Sequence, residues 1–147
     1  MNAWYVETSA FVKLVRDEEH TGDLRAWVHA REAAGDALVS SDLLRTEAIR
    51  VARRVVADTV LERAVALIDN LFLVRLVPER YDAAGHLGPT TMRSLDALHL
   101  AAAVELGDDL AGVVSYDERL LEGAAAIGCT TVSPGRDSSP GRVPRVR

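Results

Sequence analysis

The chain has 147 residues, of which 48% are hydrophobic and 27% are charged, with 17 basic against 22 acidic side chains. This length suits one domain, which buries roughly 68–70% of the surface that the unfolded chain exposes. No apolar run reaches the ~18 residues of a membrane span, and residues 1–7 lack a signal-peptide pattern. We therefore expect a cytoplasmic protein without a membrane contact. The single cysteine, Cys129, excludes an internal disulfide, and the net charge of −5 argues against nucleic-acid binding through bulk charge alone.

Short apolar runs alternate with helical patterns along the chain. Strands are predicted at residues 3–6, 37–40, 72–77, 110–115 and 130–133. Helices are predicted from residues 7–9 onward, from a cap at Thr21, at 42–56 and 58–71, from a cap at Ser94 through 106, and at 117–127, with a loop at 85–91. Strands separated by helices indicate βαβ units, so we expect a parallel sheet with helices on both faces.

The C-terminal segment differs in composition from the rest of the chain. Residues 134–147 contain three of the five prolines, four arginines and one aspartate, a local charge of +3. We therefore expect one domain over residues 1–133 and a disordered basic tail over 134–147. The tail is interpreted either as a solvated terminus or as a weak contact for an anionic polymer.

Four acidic residues lie at strand ends or within apolar helices, where solvent-facing acids are not expected. Glu7 follows the first strand and Asp117 follows the fourth, which places both at the carboxyl edge of a parallel sheet, where ligands bind. Asp117 could equally be only a helix cap. Glu47 lies within the apolar stripe of its helix, and a salt bridge to Arg50 or Arg54 is the alternative explanation.

The fourth acid, Asp96, begins the most apolar helix of the chain. The alternative explanation is that the helix dipole favours an acid in the first turn. His99 lies one turn further on the same face, and we interpret it as a packed or hydrogen-bonded neighbour rather than a ligand. Carboxylates that converge repel one another unless some protonate or a cation joins them. Oxygen ligands without cysteine select Mg²⁺ or Mn²⁺, and the implied chemistry is metal-assisted phosphodiester hydrolysis.

At these residues the sequence resembles a PIN-domain ribonuclease, specifically a VapC-type toxin of a type II toxin–antitoxin system. The matching segments are 5–10, Glu47 with Arg50 and Arg54, 95–101, 115–120 and 125–128. The resemblance implies a three-layer α/β/α domain with a central parallel sheet of four to five strands. It also implies endonucleolytic cleavage of RNA with Mg²⁺ or Mn²⁺, and inhibition by a cognate antitoxin.

Carried onto this chain, the resemblance makes Glu7 and Asp96 direct metal ligands. Glu47 and Asp117 would complete the catalytic site, with Ser9 and Ser115 as polar neighbours. The family normally has Asp where this chain has Glu7. A natural variant that keeps activity, a weakened paralogue and a change introduced to reduce toxicity all fit this difference. Our hypothesis is that Glu7 contacts the metal but that activity is reduced.

Other classes fit less well. A receiver domain needs a lysine late in the chain, but the only lysine is Lys13. A haloacid-dehalogenase-like phosphatase needs an Asp after the first strand and a second Asp two residues later, which Glu7 and Ser9 do not supply. A Ser-His-Asp hydrolase needs a Gly-x-Ser-x-Gly elbow, and the sequence has none. A non-catalytic PIN-fold protein that only holds its antitoxin stays open, as does a DNA nuclease.

Partners are expected from the remaining sequence features. Sixteen arginines offer phosphate contacts, and those nearest to the acids in sequence are Arg45, Arg50, Arg54 and Arg93. A basic antitoxin segment could occupy the acidic cleft in place of the metal. Apolar stripes around Trp27 and Leu61 suggest a homodimer.

Overall fold

The structure is a computed structural model that describes residues 1–55 and 57–136. Within these residues the strands are β1 (Ala3–Val6), β2 (Ala37–Ser41), β3 (Phe72–Val74), β4 (Leu110–Val114) and β5 (Thr131–Val132). The helices are α1 (Thr8–Val15), α2 (Thr21–Ala33), α3 (Leu43–Ala52), α4 (Asp58–Asp69), α5 (Pro78–His86), α6 (Ser94–Val104) and α7 (Glu118–Ala126). None of these helices has the length and apolar character needed to span a bilayer.

The five strands form one sheet in the order β3-β2-β1-β4-β5, and every neighbouring pair is parallel. From β1 the chain moves outward to β2 and β3, then crosses back to add β4 and β5 on the other side. The strand order therefore reverses between β1 and β4. In open α/β sheets this switch point leaves a crevice at the carboxyl ends of the strands, where ligands bind.

Helices cover both faces of the sheet, because successive side chains of a strand point to opposite faces. Val6 and Val114 face a core built with α1, α2, α3 and α4. Their neighbours Tyr5 and Val113 face a second core built with α6 and α7. The three-layer α/β/α architecture with five parallel strands confirms the expected fold class.

The segment after β3 differs from the prediction. The strand predicted over 72–77 ends at Val74, and α5 follows, which the sequence analysis missed. Pro78 occupies the first turn of α5, a position that tolerates the missing N–H. Ala84 is the one buried residue of this helix, so its sequence has no apolar stripe from which the helix could be predicted.

Both predicted helix caps at Thr21 and Ser94 are wrong, because each residue is the first residue inside its helix. The Thr21 hydroxyl instead accepts from the Glu18 N–H and donates to the Lys13 carbonyl, which fastens the preceding loop. Several predicted helices are also shorter at their C-terminal ends: α3 ends at Ala52, α4 at Asp69 and α6 at Val104. Val56, the predicted end of the third helix, lies outside the described residues.

The predicted tail begins with an ordered turn. Residues 134–136 follow β5, and the Pro134 carbonyl accepts a hydrogen bond from the Tyr116 hydroxyl at 2.7 Å. Residues 137–147, which make up the rest of the predicted tail, lie outside the described residues.

Candidate active site

The four acids that the sequence singled out all lie on elements that meet at the switch point. Glu7 directly follows β1, and Asp117 follows β4, its neighbour in the sheet. Glu47 projects from the middle of α3, while Asp96 lies in the first turn of α6. Glu7 and Asp117 therefore follow two adjacent parallel strands at the carboxyl edge of the sheet.

Glu7 is 6% exposed, and two serine hydroxyls hold its carboxylate. Ser9 and Ser115 donate to Oε2 of Glu7 at 2.5 and 2.6 Å. The hydroxyls are themselves oriented, because the backbone N–H of Tyr116 donates to Ser9 and that of Asp117 donates to Ser115. Burial raises the pKa of Glu7 above its ordinary value, and the two serine hydrogen bonds offset only part of this effect.

The raised pKa makes stability depend on pH, since the fold favours the protonated carboxyl. The free energy of unfolding should fall as pH rises from the ordinary value of 4.5 through the raised folded pKa of Glu7. Glu7→Gln carries no charge, so its stability relative to the parent should grow across this window and level off above it. Denaturant unfolding in EDTA from acid to neutral pH measures the difference. Parallel stability curves for the two proteins would contradict the expectation.

Glu47 belongs to a buried hydrogen-bonded chain. His99, which is 2% exposed, lies with Nε2 at 2.5 Å from Oε1 of Glu47 and with Nδ1 at 2.7 Å from the Tyr5 hydroxyl. Thr8 donates to the same Glu47 oxygen at 3.0 Å. Burial works to raise the pKa of Glu47, but the His99 hydrogen bond and charge, together with Thr8, outweigh it and lower the pKa. Glu47 is therefore held ionised in one orientation.

These contacts decide between the alternatives for Glu47 and His99. The partner of Glu47 is His99, and not Arg50 or Arg54 as a local salt bridge would require. His99 is a buried, hydrogen-bonded residue, as predicted, and its acidic partner is Glu47. Tyr5 and Thr8 were not among the residues predicted for the site. Strand alternation could have identified Tyr5. Residues two positions apart in a strand point to the same face, and Tyr5 lies two residues before Glu7.

Asp96 lies within the electrostatic field of the other site residues. Burial raises its pKa, and the negative charges of Asp117 and Glu47 raise it further, against the opposing charges of His99 and Arg93. His99 acts to lower the pKa of both Glu7 and Asp96. Burial is thus the largest cause of the raised pKa of Asp96, and acidic and basic neighbours act on it in opposite directions.

Asp117 is an N-cap, as its alternative explanation proposed. Its Oδ1 accepts from the backbone N–H groups of Arg119 and Leu120 at 2.9 and 3.3 Å, at the start of α7.

Asp117→Ala should therefore lower the free energy of unfolding by about 1 kcal/mol. Denaturant unfolding measures this loss, and Asp117→Asn, which keeps a capping oxygen, is the matched control. Equal losses in both variants would show that the cap is not the cause.

The donor set matches a hard divalent cation in its chemistry. The site offers carboxylate and hydroxyl oxygens and no thiolate, the ligand type that suits Mg²⁺ or Mn²⁺. Over residues 1–55 and 57–136, no three Asp, Glu, His or Cys side chains stand close enough together to form a closed metal cage. Mg²⁺ does not require one, because it is commonly held by one or two carboxylates with waters and substrate phosphates.

Comparison with known proteins identifies the family. The PIN domain family model matches residues 4–126. Ribonuclease VapC47 of Mycobacterium tuberculosis strain CDC 1551 / Oshkosh is 41% identical over 131 residues, covering 89% of this chain and 96% of the relative. Ribonuclease VapC46 of strain ATCC 25618 / H37Rv is 36% identical over 136 residues, covering 91% of this chain and 99% of the relative. The chain therefore belongs to the PIN-domain family and, within it, to the VapC ribonucleases.

A solved structure shares the fold at low sequence identity. The crystal structure of Mycobacterium tuberculosis VapC20, described as a sarcin-ricin loop cleaving toxin, aligns with a TM-score of 0.71 and 16% identity. The alignment covers 89% of this chain and 99% of that chain. The three-layer architecture is thus the PIN fold, as the resemblance implied.

Proposed function

We propose that this chain is a Mg²⁺- or Mn²⁺-dependent endoribonuclease toxin, acting in the cytoplasm and inhibited by a cognate antitoxin. The observation that carries the proposal is the place of Asp96 in the first turn of α6, where burial and then the charges of Asp117 and Glu47 raise its pKa against those of His99 and Arg93. A cation at this position would offset the negative charge. The relatives named as VapC ribonucleases support RNA as the substrate.

The proposed metal ligands are Glu7 and Asp96, with Glu47 and Asp117 completing the site. When bound, a divalent cation polarises a phosphoryl oxygen and lowers the pKa of a bound water. Asp96 would contribute a carboxylate from the first turn of α6. The Ser9 and Ser115 hydroxyls would fix the orientation of the Glu7 carboxylate.

Glu47 is suited to handle the attacking water. Its lowered pKa keeps the carboxylate ionised, and the bonds from His99 and Thr8 engage Oε1. The second carboxylate oxygen, Oε2, can then accept a hydrogen bond from a water and orient that water toward a phosphate. Tyr5 stays protonated because burial raises its pKa, and its hydroxyl lies 2.7 Å from Nδ1 of His99. Nε2 of His99 faces Oε1 of the ionised Glu47.

The direct test is cleavage of purified cellular RNA by the purified chain, with Mg²⁺, with Mn²⁺ and with EDTA. New RNA ends at defined positions, present with either cation and absent with EDTA, are expected. A single-stranded DNA of matched sequence is the control for the sugar, and it should stay intact. Cleavage that survives EDTA, or no cleavage with either cation, would contradict the proposal.

A second candidate function is a non-catalytic PIN-fold protein that only binds its antitoxin. The observation in its favour is Glu7, whose carboxylate is buried, raised in pKa and already engaged by two hydroxyls. Calorimetric titration with Mg²⁺ and Mn²⁺ separates the two candidates. Binding at millimolar or lower concentration supports the nuclease, and no binding at millimolar concentration without the partner supports the alternative.

The antitoxin is proposed to place a basic segment in the same acidic cleft. An arginine of the antitoxin would then pair with the carboxylates in place of the cation. Asp96→Asn should weaken both cation and antitoxin affinity. If both affinities stay unchanged, the two ligands do not share this cleft.

A homodimer is the proposed oligomeric state, although the residues that first suggested it pack inward. Trp27 and Leu61 are half-buried against the core of α1 to α4. Other apolar side chains are more exposed, with Phe72 at 70% and Tyr81 at 53%. Sedimentation of the purified chain should give twice the monomer mass, and a monomer at all concentrations would contradict it.

A further inference from the structure

A pocket of about 430 Å³ opens directly beside Asp96. It lies between the loop that precedes α6 and the outer face of α7. The side chains that define it are those of Pro89, Met92, Arg93, Asp96, Arg119 and Glu122. Because Asp96 forms one wall, anything in this pocket lies next to the candidate active site. The volume is that of a small-molecule site.

Two guanidinium groups of the pocket are available to a ligand. Among the residues that the structure describes, neither Arg93 nor Arg119 has an ion-pair partner, whereas Arg80 pairs with Glu105 and Arg25 with Asp17. Arg93 directly precedes α6, and Arg119 lies in the first turn of α7. The arginine guanidinium binds phosphate oxygens through two parallel N–H bonds. The two arginines therefore suit a phosphate group near Asp96.

The rest of the lining suits a nucleobase. Met92 and Pro89 give an apolar wall, and Met92 packs close to the helical Gly123, where an added Cβ would come within 3.0 Å of its terminal methyl. Glu122 is exposed and, in the described part of the chain, has no hydrogen-bonding partner. It lies one turn after Arg119 on α7. The pocket thus offers cations for an anion, an apolar surface for a flat ring, and a carboxylate for N–H donors.

We propose that this pocket binds a guanine nucleotide of the RNA, next to the phosphate that is cleaved at Asp96. This inference rests on the proposed ribonuclease function and names a base that the site selects. Guanine is the one RNA base with two adjacent N–H donors, N1–H and N2–H, on its Watson–Crick edge. A carboxylate has two oxygens to accept them. Arg93 and Arg119 bind the phosphate, Met92 packs against the ring, and Glu122 accepts from the base edge.

The two methionines provide a direct probe. Met92 lies in the pocket, while Met1 is 85% exposed at the N-terminus. In protein labelled with ¹³C at the methionine methyls, titration with 5′-GMP in Mg²⁺ should shift the Met92 signal and leave the Met1 signal in place. Titration with 5′-UMP should give binding weaker by at least about fivefold, since one bidentate base contact is lost. Inorganic phosphate should shift Met92 little.

Matched variants assign the contacts. Arg119→Ala should weaken 5′-GMP binding about tenfold, whereas Arg63→Ala, at an exposed position of α4, should not change it. Glu122→Gln should remove most of the preference for 5′-GMP over 5′-UMP, and Glu118→Gln, one turn earlier on the same helix, should retain it. Equal binding of 5′-GMP and 5′-UMP to the parent, or a silent Met92 signal, would overturn the proposal.

Mononucleotides have no phosphodiester bond to hydrolyse, so this binding is measured apart from catalysis. A chain that cleaves RNA while Met92 stays silent would overturn the pocket assignment and leave the ribonuclease proposal intact. A chain that binds 5′-GMP at Met92 but cleaves no RNA would support the pocket and overturn the ribonuclease proposal.

Discussion

Asp96→Asn should lower the rate of RNA cleavage by about a thousandfold, equivalent to about 4 kcal/mol of transition-state stabilisation. Asparagine has the shape of aspartate but lacks the charge that would hold a cation beside the phosphate. The free energy of unfolding should not fall, because the pKa of Asp96 is raised and the fold therefore disfavours its ionised form. A large loss of activity without a loss of stability is thus the expected signature.

Single-turnover cleavage of a labelled RNA and denaturant unfolding of the same protein sample measure the two effects. Asp108→Asn is the matched control, because Asp108 is exposed and precedes β4, at the opposite edge of the sheet from the site. It should change neither property. An Asp96→Asn protein that cleaves at the parental rate would remove Asp96 from the proposed catalytic site.

Glu7→Asp should increase the rate of RNA cleavage, by up to about a hundredfold. The extra methylene of glutamate lengthens the side chain by about 1.5 Å, and a misplacement of ~1 Å in an active site can lower the rate about a hundredfold. In this chain the longer side chain also reaches the Ser9 and Ser115 hydroxyls and is held there. Aspartate would bring the carboxylate to the position that the family normally uses.

The comparison needs cleavage rates and Mg²⁺ affinities for the parent, Glu7→Asp and Glu7→Gln. Glu7→Gln keeps the length but not the charge, so it should be slower than both. If the parent and Glu7→Asp cleave at equal rates, Glu7 does not impair the enzyme. If neither binds the cation, the non-catalytic alternative gains support.

Most of the fold could be predicted because it follows from local patterns. The apolar runs before Glu7 and Asp117 and the helices between them give parallel strands, and the sheet edge follows from that topology. The missed helix α5 shows the limit of this reasoning. It rests on α6 and buries only Ala84, so its own sequence has no apolar periodicity to detect. The cap predictions at Thr21 and Ser94 were wrong because a serine or threonine near a helix start can also be the first residue of the helix. Its hydroxyl can then bond to the preceding loop, as that of Thr21 does.

The positions of the candidate acids could be predicted from the sequence, but their contacts could not. The spacing alone places Glu7 and Asp117 at the ends of neighbouring strands. The partner of Glu47, however, is His99, which is 52 residues away, and Ser115 reaches Glu7 across 108 residues. Such pairs depend on how α3, α6 and β4 pack together, which no local pattern encodes. The nearby arginines that the sequence suggested for Glu47 lie on the same helix but are not its partners.

The chemistry of the RNA ends tests the central claim most directly. If a water activated at the carboxylate site attacks the phosphate, the products carry simple phosphate and hydroxyl ends, and cleavage stops in EDTA and with Asp96→Asn. If the neighbouring 2′-hydroxyl attacks instead, a 2′,3′-cyclic phosphate forms without need of a cation. Mapping the ends by enzymatic labelling and mass spectrometry distinguishes these routes. Simple ends that require both Asp96 and a divalent cation are the predicted result, and cyclic phosphate ends formed in EDTA would contradict a carboxylate–metal ribonuclease.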